Sequence, residues 1–163
     1  MTRYISKKIF FHFPYSSFSL KNRRLIQRFI EEILKKEGIV ADRINIIFCS
    51  KKEMRRLNLQ HLTHDYYTDI LTFPMKQKGE PALADIFISP EEVLLNSKRF
   101  NTTFKTEIHR VIFHGVLHLC GYGDKTKREK LIMRQMEEHY LQEFFHFVPR
   151  GTSKTLSNVS RGT

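Results

Sequence analysis

From Thr103 to Cys120 the chain reads TFKTEIHRVIFHGVLHLC, and its apolar residues run almost all the way round a helix: Ile108, Val111, Ile112, Phe113, Val116, Leu117 and Leu119. A helix without a broad polar face has to be buried, so the other elements must pack around this one. At 163 residues the chain can form one compact domain with a real core and no disulfide or metal staples.

The flanking segments supply material to surround that helix. The first thirteen residues alternate like a strand, with Ile9, Phe11 and Phe13 on one face. Leu20 to Lys36 has helical spacing, with Leu25, Phe29, Ile30 and Ile33 in a stripe and Gly38 as the stop. Ala41 to Cys49 reads as a strand, and Ser50 with Glu53 forms a capping box for a short helix through about Leu59. A polar loop, HLTHDYY, leads to a short strand from Asp69 to Phe73 stopped by Pro74, and Leu83 to Ile88 is a further strand. Ser89 and Pro90 open a helix to about Phe100, and Thr126 with Glu129 caps a last amphipathic helix to about Phe147. The expected fold class is α+β: a single domain over residues 1–148, with a small mixed sheet of about four strands packed by helices. Residues 149–163, rich in Ser, Thr and Gly, show no periodicity and are expected to form a disordered basic tail.

Charge narrows the class of partner. The formal net charge is +11, from 28 basic and 17 acidic residues. Arg150, Lys154 and Arg161 belong to the tail, and without them 25 basic residues face 17 acidic ones, a net +8. The excess therefore belongs to the folded part and favours a polyanion such as nucleic acid. No apolar run approaches the roughly 18 residues of a membrane span, and MTRYISKKIFFHF lacks a signal peptide's apolar core. The two cysteines, Cys49 and Cys120, follow no ligand spacing, which suits buried thiols in a reducing, cytoplasmic setting.

The end of the central helix carries the chemistry. Residues 114–124 read HGVLHLCGYGD. Positions i and i+4 lie about 40° apart around a helix, so His114 and His118 project from one face and can offer two imidazole nitrogens to one ion. Gly121 falls where a helix commonly ends in a left-handed residue, and with Gly123 it lets the chain bring Asp124 back toward the rings. Three protein ligands with a fourth position open is the arrangement of catalytic rather than structural metal sites. The expected site is thus His114, His118 and Asp124 at the end of the central buried helix, holding one divalent ion. A buried helix can also carry two histidines as hydrogen-bonded core residues, but the glycine-aspartate ending favours the metal.

The stretch resembles the metzincin peptidase pattern H-E-x-x-H-x-x-G-x-x-H/D. Gly115, however, stands where those enzymes place their catalytic glutamate. The cost of a mid-helix glycine, roughly 1 kcal/mol against alanine, implies that something approaches the helix closely there.

A longer resemblance covers nearly the whole chain up to the tail. H-G-x-L-H-L-x-G-Y with the acidic ending, the upstream Thr68-Asp69-Ile70-Leu71-Thr72-Phe73-Pro74 and the strand LADIFIS are similar to three blocks of the YbeY family, in the same order and spacing. These are bacterial metal-dependent endoribonucleases of ribosomal RNA maturation. The resemblance implies an α+β fold with a metal in a basic cleft and cleavage of single-stranded RNA. It also implies roles in small-subunit ribosomal RNA processing and ribosome quality control.

By position, His114 and His118 match the family's first two histidines. Its third histidine falls on Asp124, its preceding aspartate on Gly123, and an arginine implicated in RNA cleavage on Leu62. A carboxylate in place of an imidazole removes one positive charge from the site. Zinc still suits it, while manganese, iron or nickel become more competitive.

The expected partners are ribosomal RNA and the small ribosomal subunit, with no membrane and no small-molecule cofactor. The residue that handles the proton is open at this point: Asp69 and Asp85 lie at expected strand ends, and cleavage can proceed through activated water or through the RNA 2′-hydroxyl. Tyr122 and Phe73 can stack on a base, and Lys125, Lys127, Arg128 and Lys130 form a candidate phosphate patch. Two other functions compete with the nuclease. One is a non-enzymatic RNA- or ribosome-binding assembly factor with a structural metal, and the other is a metallopeptidase, disfavoured by Gly115.

Overall fold

The computed structural model describes residues 6–15, 17–62 and 67–147. The expected tail and part of the HLTHDYY loop lie outside the described residues. Nine elements follow one another: β1 (Ile9–His12), α1 (Arg23–Lys36), β2 (Ala41–Phe48), α2 (Lys51–Leu62), β3 (Ile70–Pro74), β4 (Ala82–Ile88), α3 (Pro90–Arg99), α4 (Phe104–Leu119) and α5 (Lys127–Phe147). The four strands form one mixed sheet in the order β1-β2-β4-β3, with β1, β2 and β4 parallel and β3 antiparallel at the edge. The α+β architecture read from the sequence is therefore the observed one.

One face of the sheet makes the core. Ile9 pairs with Ile44, Ile44 with Ala84 and Ile46 with Ile86, so these residues share a face, and all are fully buried. Against them lie Ile26, Phe29, Ile30 and Ile33 of α1 and Ile112, Phe113, Val116 and Leu117 of α4. Phe113 joins three helices, its ring centroid 5.3 Å from that of Phe29 on α1 and 5.6 Å from that of Phe144 on α5. Truncating such a residue to alanine costs about 3–5 kcal/mol. The other face is covered at one end by Met54 and Leu57 of α2, packed with Leu71, Phe73 and Phe87. The rest of it carries a polar row, in which His12 Nε2 lies 3.0 Å from Asn45 Oδ1 and Asn45 Nδ2 donates to Asp85 Oδ1 at 2.9 Å.

Gly115 is explained by the seat of α4 on this sheet. A Cβ there would stand 2.9 Å from Ile70 Cδ1 and 3.0 Å from Ile86 Cγ2, tighter than ordinary van der Waals contact. The approaching group inferred from the mid-helix glycine is thus the sheet itself. The glycine serves the packing of α4 on β3 and β4, and the general base that a metzincin peptidase needs at this position is missing.

Three expectations shift. Helix α2 continues to Leu62, a turn beyond Leu59, as the His61 ring packs edge-on against Phe73 at 5.3 Å. Helix α1 starts at Arg23 rather than Leu20, because Asn22 is left-handed with φ 57°. Asp85 lies inside β4, paired with Asn45 and Phe73, and not at a strand end. The strand alternation turns it away from α4, so it takes no part in the site.

Candidate metal centre

Helix α4 is capped by Thr103, whose side chain accepts the Thr106 N–H, and its last turns line a cleft of about 810 Å³. Its end is a Schellman motif: Tyr122 N–H donates to Leu117 O at 3.1 Å and Gly121 N–H to His118 O at 3.0 Å. Gly121 takes φ +98°, the left-handed geometry expected of it. The chain then turns back toward the helix. Glu129 receives the Lys125 and Thr126 N–H groups on Oε2 and donates its own N–H to Thr126 Oγ1, completing the capping box that opens α5. Gly123 leaves room for this cap, since a Cβ there would lie 2.9 Å from the Glu129 carboxyl carbon.

The consequence is convergence. His114 Nε2 and His118 Nε2 are 2.9 Å apart, and Asp124 Oδ2 lies 3.4 Å from the first and 3.3 Å from the second. Two ligand atoms held 2.0–2.1 Å from a tetrahedral centre stand about 3.3 Å apart, close to the edges of this triangle. Among the described residues this is the one group of three or more such side chains able to hold a metal ion.

The partners of the two rings decide which nitrogen faces that point. Glu137 Oε1 on α5 lies 2.7 Å from His114 Nδ1, and Tyr122 O lies 2.9 Å from His118 Nδ1. Both partners are acceptors, so each Nδ1 carries the proton and each Nε2 presents a lone pair. Two imidazole lone pairs and a carboxylate oxygen then meet with no donor among them, a set that repels itself until a cation enters. The donor chemistry therefore fits a divalent ion.

Electrostatics separates the two histidines. Burial works against charge on His114, but the Glu137 hydrogen bond and charge, with Asp124 and Asp69 adding, raise its pKa. For His118, burial and then His114 lower it. Glu137 is itself buried and anchored, 3.6 Å from both Arg110 and Arg134, while Arg110 also reaches Glu107 at 3.3 Å and Glu138 at 2.5 Å. Glu137 escaped the sequence reading, although a signal existed. It sits on the buried stripe of α5 formed by Met133, Tyr140, Leu141 and Phe144, where a lone carboxylate needs a partner.

The other candidates divide. Asp69 lines the same cleft just ahead of β3, with burial pushing its carboxyl above the ordinary range and Asn96 Nδ2 donating to Oδ2 at 3.2 Å. Leu62 also lines it. Of the four basic residues expected as a patch, only Lys125 lines the cleft, and Arg134 of α5, one turn beyond Lys130, joins it. Phe73 packs with Phe87, Tyr122 is tied by its hydroxyl to Glu37 at 2.9 Å, and neither lines the cleft. Tyr140 donates to the same Glu37 carboxylate, fixing the loop and α5 to the end of α1. His61, His109, His139 and His146 stay apart from the centre, His109 buried against Phe144, and His64 lies outside the described residues. Cys120 is half-buried, its thiol pushed up to about 12 by burial, and adds no thiolate ligand. No helix of the described residues is long and apolar enough to cross a membrane.

Known proteins match over most of this fold. A family model described as Endoribonuclease YbeY covers residues 14–145. Proteins named Endoribonuclease YbeY from Cytophaga hutchinsonii and Christiangramia forsetii are 42% and 39% identical to this chain, covering 80% and 81% of it and 91% and 92% of their own lengths. The solution structure of a Thermotoga maritima protein superposes with a TM-score of 0.60 at 31% identity, covering 94% of this chain and 99% of that one. The family model spans all three converging side chains, the cleft that holds them and every element but β1 and the last two residues of α5. The chain belongs to the YbeY family.

Proposed function

We propose that this chain is a metal-dependent endoribonuclease that cuts single-stranded RNA in the cytoplasm, with ribosomal RNA of the small subunit as its substrate in the cell. The observation that carries the proposal is the meeting of three lone pairs from His114, His118 and Asp124 in a cleft also lined by Lys125 and Arg134. The relatives' name, Endoribonuclease YbeY, supports the same substrate class.

A divalent ion, when bound, supplies Lewis-acid charge to the phosphate being cut. Zinc is the first choice for two imidazoles and a carboxylate, and the carboxylate improves the competitiveness of manganese, iron and nickel. The chain's own residues do the rest. His114 and His118 offer Nε2 to the ion because Glu137 and the Tyr122 carbonyl hold the Nδ1 protons. Lys125 and Arg134 neutralise flanking phosphates. Arg110 is not available for that task, being buried among three glutamates. Glu107 is occupied by Arg110, so Asp69 is the cleft carboxyl left to take a proton, with Oδ2 held by Asn96.

The test uses metal-loaded protein and a His114→Ala variant, each incubated with ribosomal RNA fragments and with casein. Metal-dependent cutting of RNA, lost in the variant, is the expected result. RNA bound but never cut would replace the nuclease with an assembly factor, and RNA cut equally by both proteins would overturn the proposal.

A further inference from the structure

Two cavities meet at His118. The cleft of the metal centre and a second one of about 470 Å³ share His118 and Pro74 in their walls. The second continues past His118 between the turn joining β3 to β4, which contributes Gln77 and Lys78, and the end of α4, which contributes Leu119 and Cys120. Hydrogen bonds fix that turn: Met75 N–H donates to Leu83 O at 2.8 Å, and Gln77 N–H to Glu80 Oε2 at 3.2 Å. Lys76 is paired with Asp42 at 2.8 Å. Lys78 is exposed and, among the described residues, has no ion-pair partner.

An endonuclease has nucleotides on both sides of the phosphate it cuts, so a strand crossing the metal centre must leave it in two directions. Of the cations lining the main cleft, Lys125 and Arg134 are the exposed ones, since Arg110 is buried among glutamates. We infer that the β3–β4 turn forms the second limb of the substrate groove, with Lys78 neutralising a phosphate of single-stranded RNA across His118 from Lys125 and Arg134. The half-buried Leu119 and Cys120 give this limb an apolar floor for a sugar or base. The inference rests on the proposed RNA substrate and adds the path that the strand takes.

The experiment measures binding of a 2′-O-methyl RNA strand of about twelve nucleotides, long enough to fill both limbs, to the zinc-loaded full chain over a range of salt. A gel run afterwards establishes that the strand is intact, and cutting of the unmodified strand is measured in parallel. Each phosphate contact contributes about 0.7 to the slope of log affinity against log salt for single strands. Lys78→Ala is expected to lower the slope by about 0.7, and Lys78→Arg to keep it. Lys21→Ala should also keep it, because Lys21 precedes α1 at the opposite end from Glu37, which touches Tyr122. A wild-type slope in Lys78→Ala, or an equal fall in Lys21→Ala, overturns the second limb while leaving wild-type cutting, and so the nuclease, intact. Absence of both binding and cutting in the wild type overturns the two together.

Discussion

His114 and His118 stand one turn apart on the same helix and face the same point, yet they are held there by different means. A buried glutamate from α5, itself pinned by two arginines, orients His114. His118 is oriented by a main-chain carbonyl that the Schellman turn places. One support is a side chain with full charge, and the other is neutral backbone that no substitution removes directly. The difference teaches that the first ring is tuned by charge and the second by the shape of the chain. Charge raises the basicity of a ligand and orients it, whereas shape only orients it.

The comparison can be tested at decreasing strength. Losing either ring should leave almost no bound metal, so element analysis of untagged His118→Ala or His114→Ala protein is the first check. Undiminished metal in either variant would remove that residue from the site. Glu137→Gln keeps an acceptor for His114 but removes the charge, and metal affinity should fall by about 10–100-fold. Competition with a chelating dye measures that loss, and nitrogen NMR of His114 reports whether the tautomer survives. Equal loss from a Gln at Glu129, which caps α5 without touching either ring, would mean that charge at His114 is not the cause.

On the other side the accessible break is Gly121→Ala. Its φ of +98° makes a side chain strained, at about 1–3 kcal/mol. A lowered thermal midpoint with a smaller effect on metal affinity than Glu137→Gln is expected. His109 completes the series as a third histidine on α4, with no carboxylate partner among the described residues. Burial first, then Lys105, hold its pKa below the ordinary 6.5, against the backbone hydrogen bond to Lys105 O. The unfolded chain then takes up the proton before the folded one does. His109 therefore contributes stability above about pH 6.5 that is lost as the pH falls through its folded value. Thermal midpoints of metal-free protein should drop below that pH, and His109→Phe should flatten the drop. An unchanged slope would assign the acid sensitivity elsewhere.

Most of this arrangement is legible in the sequence because it is local. Periodicity places all nine elements, and the i, i+4 histidines, Gly121 and Asp124 lie within one turn and one loop. What is not legible depends on distance along the chain. The Glu137 contact with His114 crosses 23 positions, and only the docking of α5 creates it. Asp85 looked like a strand end because the spacing of apolar residues gives no register, and pairing with Asn45 puts it mid-strand. The extra turn of α2 owes its length to a ring contact with Phe73, which propensity does not encode. Likewise, nothing in the order of residues announces that Arg134 and Lys125 reach the cleft while Lys127, Arg128 and Lys130 do not line it.

The closeness of the three ligands along the chain has a thermodynamic consequence. His114, His118 and Asp124 fall within residues 114–124, so the unfolded polypeptide carries all three on one short tether and can chelate an ion as well. Any affinity of the unfolded state subtracts from the stabilisation that ligand binding gives the native one. A bound ion would therefore stabilise the fold only by the margin with which the folded chain, its histidines set on one helix face and their Nδ1 protons held by Glu137 and the Tyr122 carbonyl, binds it more tightly. Stripping the metal should empty the cleft and leave the domain folded on its own core.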